Sequence, residues 1–198
     1  LAVASTQGDL PAPGMASMVQ ANLGLPAIEI LTTHGICSSS MMALKAAYNS
    51  LQVGDHEAAI VVSSELSSRL LKKQRYEAAT ESTFAAKRID FNTEFLRWML
   101  SDGAGALLLQ STPAPKGYSL RIDWVRGFSH AHALPTCMSV GSAGHPGDDR
   151  TWQDYDSYAD AERAGALLLR QEVRLLDNII RMGVDGYLRL VQEGVSEP

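Results

Sequence analysis

The sequence has few cysteines and no long apolar run. Its 198 residues include only 2 cysteines, Cys37 and Cys137. Two cysteines so far apart form neither a disulfide framework nor a zinc pattern, so we expect a reducing compartment and no metal site. No apolar segment approaches the roughly 20 residues needed to cross a bilayer, and the first residues lack the basic stretch of a signal peptide. These absences predict a cytoplasmic protein without membrane contacts.

An excess of basic residues is also missing. The chain has 17 Lys and Arg against 22 Asp and Glu, a net charge of −5, and its isoelectric point is near 5.5. This balance argues against a general nucleic-acid binder. A hydrophobic share of 45% is sufficient for a sizeable core. The composition is therefore typical of a soluble enzyme.

Cys37 lies where an extended segment changes into a helix-forming one. Residues 32–44 read TTHGICSSSMMAL, and the break at Gly35 followed by helix formers predicts a helix over residues 38–53. Free backbone N–H groups and the helix dipole at such an N-terminus stabilise a thiolate, which lowers the pKa of the thiol and raises its nucleophilicity. A lone cysteine is also often an inert buried residue. The turn alone therefore leaves both interpretations open.

Other segments complete a recognisable order of elements. Residues 1–6 and 58–65 predict strands, and residues 15–25 predict a short helix with a glycine stop. Residues 100–109, LSDGAGALLL, place Gly103 and Gly105 immediately before an apolar strand, where glycine permits a close backbone approach. Alternating apolar and polar residues from 118 to 125 predict a further strand at 119–128, and an apolar stripe predicts a helix over 161–191.

This order, with Cys37 before a helix and the DGAGA turn before a strand, resembles the β-ketoacyl-acyl-carrier-protein synthase III family of the thiolase superfamily. The resemblance covers residues 1–110 well and the rest in outline. It implies an α/β fold of the thiolase-like, layered αβαβα type, of which we expect this chain to be an incomplete portion. Residues 1–112 would form the rear part of the N-terminal half with the nucleophile. Residues 113–198 would begin the C-terminal half.

The resemblance also implies a chemistry. Cys37 would accept an acyl group, with its own backbone N–H in the oxyanion hole. The acyl group would then react with a malonyl thioester in a decarboxylative Claisen condensation, as in fatty acid, polyketide or specialised lipid biosynthesis. We expect the catalytic His and Asn of the family outside this chain. Thioesters of coenzyme A or of carrier-protein phosphopantetheine would be the substrates, and no cofactor is expected.

Candidate pocket residues follow from the same resemblance. Residues 9–14 are small where short-chain enzymes carry a bulky aromatic, which makes Ala12 and Pro13 candidates for a loop beside the acyl pocket. His34, Gly103 and Gly105 are further candidates for the pocket or its loops. The family implies a homodimer, in which residues 28–33 would lie where the two sheets meet.

A basic cluster stands out in this acidic chain. Because acyl carrier proteins are acidic, the cluster is a candidate docking site for one. A solvated helix face is the competing interpretation. The cluster consists of Lys72, Lys73, Arg75, Lys87 and Arg88.

Two other functions remain open from the residues alone. The chain could be a non-catalytic thiolase-like subunit that pairs with an active partner. It could also be a cysteine hydrolase with a nucleophile elbow, although Ser39 replaces the second glycine of that motif.

Overall fold

The structure is a computed structural model that describes residues 1–81, 90–144 and 147–194. It contains two compact units. The first comprises Leu1–Leu66 and Asp102–Ser129, and the second comprises Ser67–Ser101 and the described residues from His130 onward. The division into two thiolase halves at residue 112 stays a prediction.

The first unit is built on a four-stranded sheet of β1 (Ala2–Ser5), β2 (Leu31–His34), β3 (Ala58–Glu65) and β4 (Gly103–Gln110), with the order β2-β1-β3-β4. Strand β1 is parallel to both β2 and β3, while β4 is antiparallel to β3. Helix α1 (Met15–Asn22) connects β1 to β2, and helix α2 (Ser39–Gln52) connects β2 to β3. Parallel strands joined by helices confirm the predicted α/β fold class.

Small side chains form the contact between α2 and this sheet. Ala43 and Ala47 on α2 are buried and share a core cluster with Ala2 and Ala4 of β1 and Val61 of β3. Alanine at these positions lets the helix backbone approach the strands closely, because no long side chain separates them. The helix predicted over residues 38–53 and the strand predicted over residues 58–65 are confirmed.

The second unit consists mainly of short elements around leucines. Leu70, Leu96 and Leu169 form one buried cluster, and Leu167 with two alanines forms another. The elements are α3 (Lys73–Glu81), α4 (Phe91–Met99), β5 (Met138–Ser139), α5 (Tyr158–Arg163), β6 (Arg170–Gln171) and α6 (Leu176–Gln192). Across the described ranges, no helix is both long and apolar enough to span a membrane.

Two predicted elements are wrong or altered. The strand expected at residues 119–128 does not form, and Tyr118 and Leu120 are exposed. Alternation alone cannot make a strand without a neighbouring strand to pair with. The single helix expected over residues 161–191 is divided into α5 and α6, because Gly165 adopts a φ of 75° and ends the first of them.

Candidate active site

One edge of the first sheet gathers the ends of several strands. Because β1, β2 and β3 are parallel, their carboxyl ends lie at the same edge. The antiparallel strand β4 begins there, and Gly103 pairs with Glu65 at the end of β3. In open α/β sheets, ligands bind beyond the carboxyl ends of the strands. Cys37 follows β2 directly and therefore lies at this edge.

Hydrogen bonds fix the turn that carries Cys37. The backbone N–H and hydroxyl of Ser39 both donate to the carbonyl of Ile36, at 3.1 and 2.9 Å. The hydroxyl of Thr33 donates to the carbonyl of Ser39 at 3.0 Å. Ser39 is buried at 2% exposure, whereas Cys37 is exposed. The turn is thus anchored through the buried Ser39, while the thiol of Cys37 is exposed.

The backbone N–H of Cys37 is the candidate oxyanion donor. Cys37 lies two residues before the first residue of α2. In the part of the chain that the structure describes, the N–H of Cys37 has no intrachain acceptor. It can therefore donate to a ligand oxygen, as an oxyanion hole requires. The catalytic role of Cys37 stays a prediction.

The other pocket candidates lie near the same edge or on its loops. His34 is the last residue of β2, is exposed, and makes no hydrogen bond with Cys37 among the described contacts. Ala12 and Pro13 are exposed in the loop before α1. Gly103 and Gly105 begin β4, and a Cβ added to either would meet no described atom within 4 Å. The close backbone approach expected at these two glycines is therefore not seen.

Glu65 was not among the residues that the sequence predicted at this site. Its Oε1 accepts hydrogen bonds from the backbone N–H and the hydroxyl of Thr6, at 2.7 and 2.9 Å. Thr6 directly follows β1, so this contact joins the ends of two neighbouring strands at the edge where Cys37 lies. The sequence contains one indication, an acidic residue at the end of a strand whose other residues are apolar or small. Nothing local indicates its partner, which is 59 residues away.

The basic cluster is not uniform. Lys72 and Lys73 are exposed, and Lys73 Nζ lies 3.0 Å from a carboxylate oxygen of Glu77. The side chain of Arg75 is only 15% exposed, and its Nε lies 3.8 Å from Glu162. Lys87 and Arg88 lie outside the described residues. The two lysines are thus the accessible charges in the described part of the cluster.

Arg170 and Tyr76 of the second unit are ionisable residues whose pKa values are shifted by burial. Arg170 donates from Nη1 to the carbonyls of Ser142 and Leu168, at 2.9 and 3.2 Å. Burial lowers the pKa of Arg170, partly offset by the negative charge of Asp90. Burial likewise raises the pKa of Tyr76 above its ordinary value. Within the described ranges, no three His, Cys, Asp or Glu residues are grouped to hold a metal ion.

The family follows from comparison with known sequences. The sequence model of the β-ketoacyl synthase N-terminal domain matches residues 5–114, which is more than half of the chain. The chain belongs to the β-ketoacyl synthase family. The matched range contains the Cys37 turn, Glu65 and the whole of β4. The resemblance read from the Cys37 and DGAGA segments is confirmed.

Several solved structures are also similar to the chain. β-Ketoacyl-acyl-carrier-protein synthase III from Thermus thermophilus is 25% identical, with a TM-score of 0.40, over 55% of this chain and 28% of that protein. The corresponding enzyme from Pseudomonas aeruginosa is 23% identical, with a TM-score of 0.44, over 58% and 31%. Cerulenin-bound OleA from Xanthomonas campestris is 23% identical, with a TM-score of 0.47, over 56% and 31%. The match spans less than a third of each of these proteins, and the family match alone decides the assignment.

Proposed function

We propose that the whole protein is a condensing acyltransferase that joins a Cys37-bound acyl group to a malonyl thioester with loss of carbon dioxide. The observation that carries this proposal is the exposed thiol on an anchored turn at the carboxyl edge of the sheet. Membership of the β-ketoacyl synthase family supports the reaction class. Cys37 would be the nucleophile and, through its backbone N–H, an oxyanion donor.

The proposed reaction has two stages. The thiolate of Cys37 attacks the carbonyl of an acyl thioester, and the carrier thiolate leaves as the S-acyl enzyme forms. Backbone N–H groups stabilise the oxyanion of the tetrahedral intermediate. A malonyl thioester then loses carbon dioxide, and its carbanion attacks the acyl carbonyl and displaces the thiolate of Cys37. Coenzyme A or carrier-protein phosphopantetheine would carry both substrates, without a metal or redox cofactor.

The backbone disfavours the hydrolase alternative. A nucleophile elbow places its nucleophile on a sharp and strained turn between strand and helix. Among the described residues, positive φ angles occur only at glycines, so Cys37 has no such strain. The turn instead continues smoothly into α2 through Ser38 in a right-handed helical conformation.

Acylation of Cys37 tests the proposed function. The whole protein, incubated with a panel of acyl thioesters, should gain the mass of one acyl group. The Cys37→Ala variant should gain none, because it lacks the nucleophile. Intact-protein mass spectrometry measures both outcomes.

Cys137→Ala is the matched control. Cys137 is only partly buried, and the amide of Gln171 donates to its carbonyl at 3.1 Å. Acylation of this variant should equal that of the unchanged protein. Acylation that persists in Cys37→Ala would rule out the assignment, and an unchanged protein that never acylates would favour the non-catalytic subunit.

The proposal includes a homodimer that forms along β2. This strand is at one edge of the sheet, and Ile28, Ile30 and Leu31 are exposed there. Unpaired backbone groups and apolar side chains at a sheet edge favour association with a second strand. Light scattering of the whole protein at micromolar concentration should therefore give the mass of a dimer. A stable monomer would contradict this part of the proposal.

A further inference from the structure

The loop formed by residues 6–14, here called the 6–14 loop, contacts a neighbouring strand at each of its ends. We propose that Glu65 is a positioning residue that holds this loop in the conformation on which acyl-donor selectivity depends. The loop carries Ala12 and Pro13, the two candidates for the side of the acyl pocket. This inference rests on the proposed function and adds a determinant of which acyl group is accepted.

The carboxylate of Glu65 makes the contact at the beginning of the loop. It receives two hydrogen bonds from one residue, the N–H and the hydroxyl of Thr6, at 2.7 and 2.9 Å. Hydrogen bonds to an ionised acceptor are roughly twice as strong as neutral ones. Both bonds are partly buried, which reduces competition from water. The chain that leaves β1 is therefore tied to the end of β3.

A second hydrogen bond reinforces the beginning of the loop. The hydroxyl of Ser5, which is buried, donates to the carbonyl of Gln7 at 3.0 Å. This bond turns the backbone immediately after the residue that Glu65 holds. The hydrogen bonds of Ser5 and Thr6 together determine the direction in which the loop leaves the sheet.

The far end of the loop is fastened to β2. A Cβ added at Gly14 would lie 2.7 Å from Thr32 Oγ1, so the backbone here passes close against that strand. The same oxygen accepts the N–H of Ala16 at 3.1 Å, at the beginning of α1. The tip of the loop lies between these two fixed ends, and Leu10 there is 51% exposed.

The arrangement explains why the acidic residue stands at the end of β3. Residue 65 is the last of its strand and pairs with Gly103, so its side chain can reach the chain leaving the neighbouring β1. A shorter or apolar side chain there would leave the N–H and hydroxyl of Thr6 without this acceptor. The loop would then sample several conformations, and the candidate pocket wall would vary with them.

Substitutions at Glu65 and Thr6 test the inference in the whole protein. Glu65→Ala removes the acceptor, and Glu65→Gln keeps an oxygen in the same place. For Glu65→Ala, the ratio of Cys37 acylation rates with a long and a short acyl thioester should change about three- to tenfold. Peptides from residues 7–12 should also exchange amide hydrogens faster. Glu65→Gln should keep most of the original ratio, and Thr6→Val should lie between the two.

Glu57→Ala is the matched control, because Glu57 precedes the other end of β3 and its side chain is exposed. It should leave both the ratio and the exchange unchanged. An unaltered ratio in Glu65→Ala, or equal loss in Glu65→Gln and Glu65→Ala, would overturn the inference. If the unchanged protein is not acylated at all, the proposed function fails instead, and faster exchange in Glu65→Ala alone would still support the fastening of the loop.

Discussion

One buried cluster of each unit shows a contrast in side-chain size. In the first, four alanines contribute to the cluster between α2 and the sheet, and Ala43 is 0% exposed. In the second, three leucines form a buried cluster, and Leu96 is 1% exposed. Small residues bring a long helix close to regular strands, whereas leucines fill the larger spaces between short elements. We therefore expect a smaller side chain to destabilise the leucine cluster and a larger side chain to destabilise the alanine cluster.

The units also differ in which elements their polar side chains connect. In the first unit the polar contacts join strand ends, as between Glu65 and Thr6. In the second they connect short elements: the amide of Gln171 donates to the carbonyl of Cys137 at 3.1 Å, and the N–H of Val173 donates to Asn92 Oδ1 at 3.4 Å.

Removing volume should harm the second unit most. Leu96→Ala leaves a cavity in a buried cluster, and we expect the free energy of unfolding to fall by about 2–5 kcal/mol. Urea unfolding of the whole protein measures this change. The control is Leu188→Ala on the exposed side of α6, which should cost less than about 0.5 kcal/mol. Equal losses from the two variants would contradict the assignment of Leu96 to a tightly packed core.

Adding volume should harm the first unit. Ala43→Leu forces a larger side chain between α2 and the sheet, and we expect a loss of about 1–3 kcal/mol in unfolding free energy. The displacement of α2 should also slow the reaction of Cys37 with an acyl thioester. Asn49→Leu adds an apolar side chain on the exposed face of the same helix and is the control. If the Ala43 variant were as stable as this control, close packing would not be what positions α2.

Charge reversal at the two accessible lysines should have a smaller and conditional effect. Lys72→Glu with Lys73→Glu should slow acyl transfer from a carrier-protein donor at low salt, because long-range attraction to an acidic partner is lost. A small uncharged thioester should react as before. The control reverses Lys116 and Arg126, two exposed basic residues of the first unit, and changes the net charge equally. The docking hypothesis fails if both donors respond alike or if neither responds.

The smallest effect concerns alkaline stability of the second unit. Burial raises the pKa of Tyr76 above its ordinary value of 10.0, opposed by the positive charge of Arg97. The neutral form is therefore favoured in the folded state. Its contribution is fully present below the unfolded pKa and is lost as pH rises through the folded pKa.

Unfolding free energies between about pH 9 and about pH 11 test this linkage. Stability of the unchanged protein should fall more steeply with pH than that of Tyr76→Phe. Tyr118→Phe should not alter the slope, because Tyr118 is exposed. The same slope in all three proteins would show that Tyr76 is not the responsible group.

Much of the first unit was predictable because its signals are local. The glycine break before Cys37 and the helix formers after it predicted the beginning of α2, and β-branched residues predicted β3. The DGAGA segment and the Cys37 turn also indicated the family. Each of these inferences uses residues that are neighbours in the chain, where backbone propensity and side-chain period act directly.

Only the tertiary structure decided how these elements combine. Strand order, the antiparallel direction of β4 and the contact of Glu65 with Thr6 all join residues that are distant in sequence. The same holds for Arg75, which the sequence grouped with exposed lysines and the fold places beside Glu162. The pattern at residues 118–125 failed for a related reason, since a strand requires a partner edge. Local propensity determines what a segment can form, whereas pairing and burial depend on which distant segments the chain brings beside it.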